Sequence, residues 1–86
     1  MDKIGVFEIN EAFSCVVLAT MKELNLDHNK VNIFGGAVSL GHPIGCSGSR
    51  IVVTLMSAMD HLKSEYGMAS ICIGGGEALA LIIKRV

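Results

Sequence analysis

The run Ile51-Val-Val-Thr-Leu-Met-Ser-Ala-Met59 carries no charged side chain. Read as a helix it is apolar all round, and such a helix is buried on every side, which normally takes a large protein. The chain has only 86 residues, of which 51% are hydrophobic and 17% charged. A domain of this size removes about 60–65% of its unfolded surface from water. The chain is too short to wrap this helix alone, so a second domain or subunit is expected against it.

The other segments indicate a layered α/β domain with the order β-α-β-α-β-β. Ile4 to Ile9 is rich in β-branched and aromatic residues and reads as a short strand. From Glu11 onward the period changes: Phe13, Val16, Val17, Thr20 and Leu24 share one face of a helix that ends near Leu24. Val31 to Phe34 reads as a second short strand, and Gly35 to Gly48 as a long loop holding five glycines and the only proline. Met68 to Ile73 and Ala78 to Ile83 are two further strands around Gly74, Gly75 and Gly76. Their near-continuous apolar character suits a sheet covered on both faces.

Composition narrows the function classes. The net charge is −1 and no basic cluster is present, which argues against nucleic acid as a partner. No apolar stretch reaches the roughly 18 residues of a spanning helix, and no charged start leads into a signal-like core. A soluble, intracellular protein is expected. Cys15, Cys46 and Cys72 are odd in number and lie in apolar or glycine-rich segments, so reduced thiols fit better than a disulfide framework.

Three element boundaries carry chemistry. Cys72 stands near the end of the apolar run Met68 to Ile73, and three glycines follow that run at once. Free cysteine is often just a buried apolar residue, but consecutive glycines mark a close approach of ligand or backbone. Amides left uncovered there can hold a developing oxyanion, and the thiol can carry a proton. His42 stands between Gly41 and Pro43, which fix the backbone on either side of the imidazole. His28 and His61 have no such setting and are assigned to solvent. Asn10 follows the first strand, where a carboxamide either caps the next helix or holds a water. Glu11 is ambiguous: it favours the helix dipole from the first turn. Ser47 or Ser49 is placed to cap the later helix. The glycine spacing matches neither nucleotide-phosphate motif, and one histidine, one distant cysteine and Asn10 supply no zinc-like ligand set. No metal is expected.

Taken together the three segments resemble the thiolase family. Phe7-Glu-Ile-Asn10-Glu-Ala-Phe13 is similar to its Asn-Glu-Ala-Phe segment, and Asn32-Ile-Phe-Gly35-Gly-Ala-Val-Ser-Leu-Gly41-His-Pro-Ile-Gly45 to its Gly-His-Pro loop. Tyr66 to Gly76 is similar to its Cys-x-Gly-Gly strand end. The resemblance covers residues 1–86 in order, leans toward the acetoacetyl-CoA branch, and fits thiolases better than ketoacyl synthases. It implies a thiolase-like layered fold and acyl transfer between coenzyme A thioesters, as acetoacetyl-CoA formation or 3-ketoacyl-CoA thiolysis. It further implies that His42 activates a nucleophilic cysteine and donates to a thioester oxygen, and that Asn10 holds a water completing that oxyanion hole. Cys72 would be the acid/base, the Gly74 amide part of a second oxyanion hole, and Phe13 a lining of the pantetheine channel. Coenzyme A thioesters enter as substrates; no permanently bound cofactor is expected.

The chain also departs from the family. The acyl-accepting cysteine belongs to the family's N-terminal half, and neither Cys15 nor Cys46 matches its motif. This half's opening strand and helix are also missing. The chain therefore reads as a partial C-terminal thiolase domain, inactive alone, whose partners are acyl-CoA, an N-terminal half and, in the complete protein, further copies. Cytoplasm and mitochondrion are both compatible. The rival expectation is a short chain that binds acyl-CoA or pairs with a full-length thiolase without catalysing.

Overall fold

The computed structural model describes residues 1–86. Its element order is β1 (Ile4–Ile9), α1 (Ser14–Leu24), a turn of 3₁₀ helix (His28–Lys30), α2 (Ala37–Leu40), α3 (Ser47–Leu62), β2 (Tyr66–Gly74) and β3 (Glu77–Lys84). The sheet order is β1-β2-β3, with β1 parallel to β2 and β2 antiparallel to β3. No helix is long and apolar enough to cross a membrane.

Two apolar clusters hold the layers together. On one face of the sheet Val6 and Ala69 meet Ile51, Leu55, Ala58 and Met59 of α3. On the other, Ile4, Phe7, Ile9 and Val31 meet Val17 of α1. Strict alternation would put Ile4 on the same face as Val6. The register shift between Ile4 and Val6 moves it to the opposite one. Gly67 lets α3 lie close to β2, because a Cβ there would meet Leu55 and Met59 at 2.8 and 2.5 Å.

Three expectations need correction. Val31 to Phe34 is not a strand: it makes a single parallel bridge, Val31 to Phe7, and stops at Asn32. Asn32 adopts positive φ (48°), and its side chain takes over the pairing. Its Oδ1 accepts from the Ile9 N–H and its Nδ2 donates to the Ile9 carbonyl, both at 2.8 Å, as a neighbouring peptide would. The glycine-rich loop holds the short helix α2, which Glu11 starts by accepting the Val38 N–H at 2.9 Å. Lastly, β3 is exposed along nearly its whole length, so the two-sided cover expected for the last strands is absent there. As expected of a helix that this chain is too short to wrap, α3 is covered on one side only. Ile51 and Leu55 are buried, while Val53 and Met56 on the far side are 63% and 59% exposed.

Candidate active site

The site is built on the ends of β1 and β2 and on the loop that leads into α3. β1 delivers Asn10, which is buried, and its N–H extends the ladder to the Ser70 carbonyl at 2.9 Å. Asn10 does not cap α1; that position is Phe13, which makes no side-chain cap bond. The carboxamide faces the loop instead, with Nδ2 3.5 Å from His42 Nε2.

Local backbone chemistry explains where the imidazole sits. Gly41, at φ 95°, ends α2 and turns the chain in a way that favours glycine. The Pro43 carbonyl then accepts the N–H groups of Cys46 and Ser47 at 2.8 and 2.9 Å, closing a turn onto α3. Neither Ser47 nor Ser49 caps α3, whose N-cap is Cys46. Ser47 is buried and turned inward: its Oγ donates to the Pro43 carbonyl at 3.1 Å and lies 2.5 Å from His42 Nδ1. Both ring nitrogens of His42 thus have a protein neighbour.

The opposite wall is made of backbone. β2 carries Cys72, exposed, and a register shift follows between Cys72 and Gly74. Gly74, Gly75 and Gly76 have φ of 109°, 64° and 80°. Positive φ at both Gly75 and Gly76 is what a two-residue hairpin needs to match strand twist. Cys72, Gly74 and His42 line one cleft of about 500 Å³, with Ile44, Gly48 and Ser49 on the loop side. A comparable cavity of about 450 Å³ beside α1 includes Glu11 and His28. Glu11 is already held there by Val38 and Asn32.

Four of the five residues singled out in the sequence therefore converge, three in the cleft and Asn10 against His42. Phe13 does not join them; it is 73% exposed and outside the cleft lining. His28 and His61 lie at the surface as expected, His61 with its ring edge-on to Phe34 at 5.4 Å.

Sequence reading missed the support beneath the site. Glu8, two residues before Asn10, is buried, with Arg50 Nη1 of α3 at 3.6 Å from its Oε2. That distance makes an ion pair without a hydrogen bond. Both Glu8 oxygens, Arg50 Nε and Asn10 Oδ1 have no hydrogen-bond partner. Burial pushes the Glu8 carboxyl up to about 7; Arg50 opposes the shift and Glu11 adds to it. The available signal was a lone carboxylate in an otherwise apolar strand.

Comparison with known proteins resolves the family. Residues 1–85 match the family described as thiolase, C-terminal domain. The chain belongs to that family. It is 54% identical over 86 residues to a probable acetyl-CoA acetyltransferase of Dictyostelium discoideum, covering 100% of this chain and 21% of that protein. It is 59% identical over 85 residues to the mitochondrial acetyl-CoA acetyltransferase of Bos taurus, covering 99% of this chain and 20% of the relative. Among solved structures, the Bacillus anthracis acetyl-CoA acetyltransferase superposes with TM-score 0.93 at 49% identity, over 98% of this chain and 21% of that one. An Ascaris suum thiolase in complex with coenzyme A superposes with TM-score 0.91 at 58% identity, over 99% of this chain and 22% of that one. This thiolase C-terminal segment spans about a fifth of the length of the relatives it matches.

Proposed function

We propose that this segment supplies the histidine, asparagine and acid/base cysteine of an enzyme that transfers acyl groups between coenzyme A thioesters. The observation that carries the reading is the shared cleft of His42, Cys72 and Gly74, with Asn10 against the imidazole.

The chemistry follows from what those groups can do. In the cleavage direction a cysteine thiolate from outside this chain attacks the 3-keto carbonyl of the substrate. His42 takes the thiol proton and, once protonated, donates to the thioester oxygen, with Asn10 completing that donor set through a water. The carbon–carbon bond breaks, and the departing enolate of acetyl-CoA receives a proton from Cys72. The Gly74 N–H holds charge on the second oxygen. Coenzyme A then attacks the acyl-enzyme thioester, passing its proton to Cys72 as the enzyme thiolate leaves. Condensation is the reverse, with Cys72 removing the α-proton. Each preorganised donor at a developing oxyanion commonly contributes about 3–4 kcal/mol. Phe13, exposed on the entry to α1, is assigned to the pantetheine arm.

The N-terminal half of a thiolase is the proposed partner, since it would bring the nucleophile and cover the bare side of α3. The complete protein is proposed to be a homo-oligomer. The test is acetoacetyl-CoA thiolysis by the complete protein and by residues 1–86 alone. Turnover is expected from the first and none from the second; thiolysis by the isolated segment would overturn the division of the site.

A further inference from the structure

We propose that Ser47 is a positioning residue that holds His42 in its Nδ1–H form and leaves Nε2 as the bare, proton-accepting nitrogen. The inference rests on the reading of His42 as the base, and it deepens that reading by saying which nitrogen acts and what selects it.

Two neighbours give the same answer. The Ser47 hydroxyl has one proton, and its geometry sends that proton to the Pro43 carbonyl at 3.1 Å. Toward His42 Nδ1, 2.5 Å away, it therefore offers a lone pair, and Nδ1 must bring the hydrogen. On the far side of the ring the Asn10 Nδ2 group stands 3.5 Å from Nε2. An amide NH₂ only donates, so it fits an Nε2 without a proton. The tautomer is set by the hydrogen bond of the nitrogen that does not react.

The local fold explains why Ser47 can do this. It is 0% exposed in the first turn of α3, and the Pro43 carbonyl accepts both its N–H and its hydroxyl. An acceptor at Nδ1 suits the neutral ring and the protonated ring equally. Nε2 can then gain a proton and give it back while the ring stays still.

The test is nitrogen NMR on ¹⁵N-histidine-labelled protein, at a pH where the rings are neutral. In the complete protein the His42 signals are assigned by their loss in His42→Gln. The expected spectrum has a protonated Nδ1 and a bare Nε2 for His42. Ser47→Ala should give His42 a mixture of the two tautomers, and Ser47→Thr should keep the wild-type pattern. A wild-type His42 with its proton on Nε2, or an unchanged bias in Ser47→Ala, would overturn the proposal. The wild-type spectrum decides the tautomer even where a variant folds poorly. In the complete protein Ser47→Ala should lower kcat roughly tenfold, a fraction of a general base's contribution, with KM unchanged. A wild-type protein without acyl-transfer activity would refute the function while leaving the tautomer readable.

Discussion

The two walls of the cleft are held in place by different physics. On the His42 wall, side chains do the holding: Asn10 and Ser47 address the two ring nitrogens, Glu11 starts α2, and the buried Glu8–Arg50 pair joins β1 to α3. The Cys72 wall has no such network. Its thiol is exposed, and its shape comes from a register shift and three glycines at positive φ. One wall is therefore sensitive to side-chain chemistry and the other to backbone conformation. The Cys72 wall also leaves the surroundings of its thiol to whatever packs against this segment.

Removing the groups proposed to react should produce the largest effects, and on both walls alike. In the complete protein His42→Ala and Cys72→Ala should each lower thiolysis by about a thousandfold, within the usual contribution of a positioned acid or base. Steady-state kinetics at saturating substrate would show it; retention of a tenth of the activity by either variant would remove that residue from the mechanism.

The support of the His42 wall should show itself in pH. The folded Glu8 carboxyl keeps its proton up to about 7, against an ordinary value of 4.5. The folded state thus binds an extra proton between those values, so stability falls as pH rises through the window and levels off above it. A shift of this size corresponds to roughly 3 kcal/mol in all. Urea unfolding at pH 5 and pH 8 should reveal that loss in the wild type and a flatter dependence in Glu8→Gln. Equal slopes in the two proteins would mean the carboxyl is ordinary.

Smaller effects should mark the Cys72 wall. A Cβ at Gly75 would meet nothing within 4 Å, so Gly75→Ala introduces no clash. Its φ of 64° still costs an L-residue about 1–2 kcal/mol. Gly75→Asn, which tolerates that region, should lose less, and denaturant midpoints would rank the two. Smallest of all, Glu11→Gln should lose about 0.5–1.5 kcal/mol, because a carboxamide oxygen can still accept the Val38 N–H. A loss as large as a core truncation would show that Glu11 does more than start α2.

Most of this fold was legible because its signals are local. β1, α1, α3 and the final hairpin follow from periodicity and glycine placement, and three motifs marked the corners of the site. What was hidden depends on contacts distant in sequence. Asn32 replaces a strand with one side chain bonded to Ile9, 23 positions away, so the β-branched run around it misleads. Glu8 carries no local signal of its partner Arg50, 42 positions on, and Ser47 reads as a cap until the turn at Pro43 rotates it inward. Phe13 shares a motif with Asn10, yet it is exposed and does not line the cleft. Adjacency in a motif did not ensure adjacency in space.

The most direct test of the account separates the two walls by reaction step. The complete protein and its Cys72→Ala and His42→Ala variants would be incubated with labelled acetyl-CoA in D₂O. Covalent acylation and deuterium entry at the α-carbon of acetyl-CoA would be measured side by side. The account predicts that Cys72→Ala still becomes acylated, more slowly because leaving coenzyme A loses its proton donor, but exchanges no α-protons, and that His42→Ala is not acylated. Undiminished α-proton exchange without Cys72, or normal acylation without His42, would contradict it.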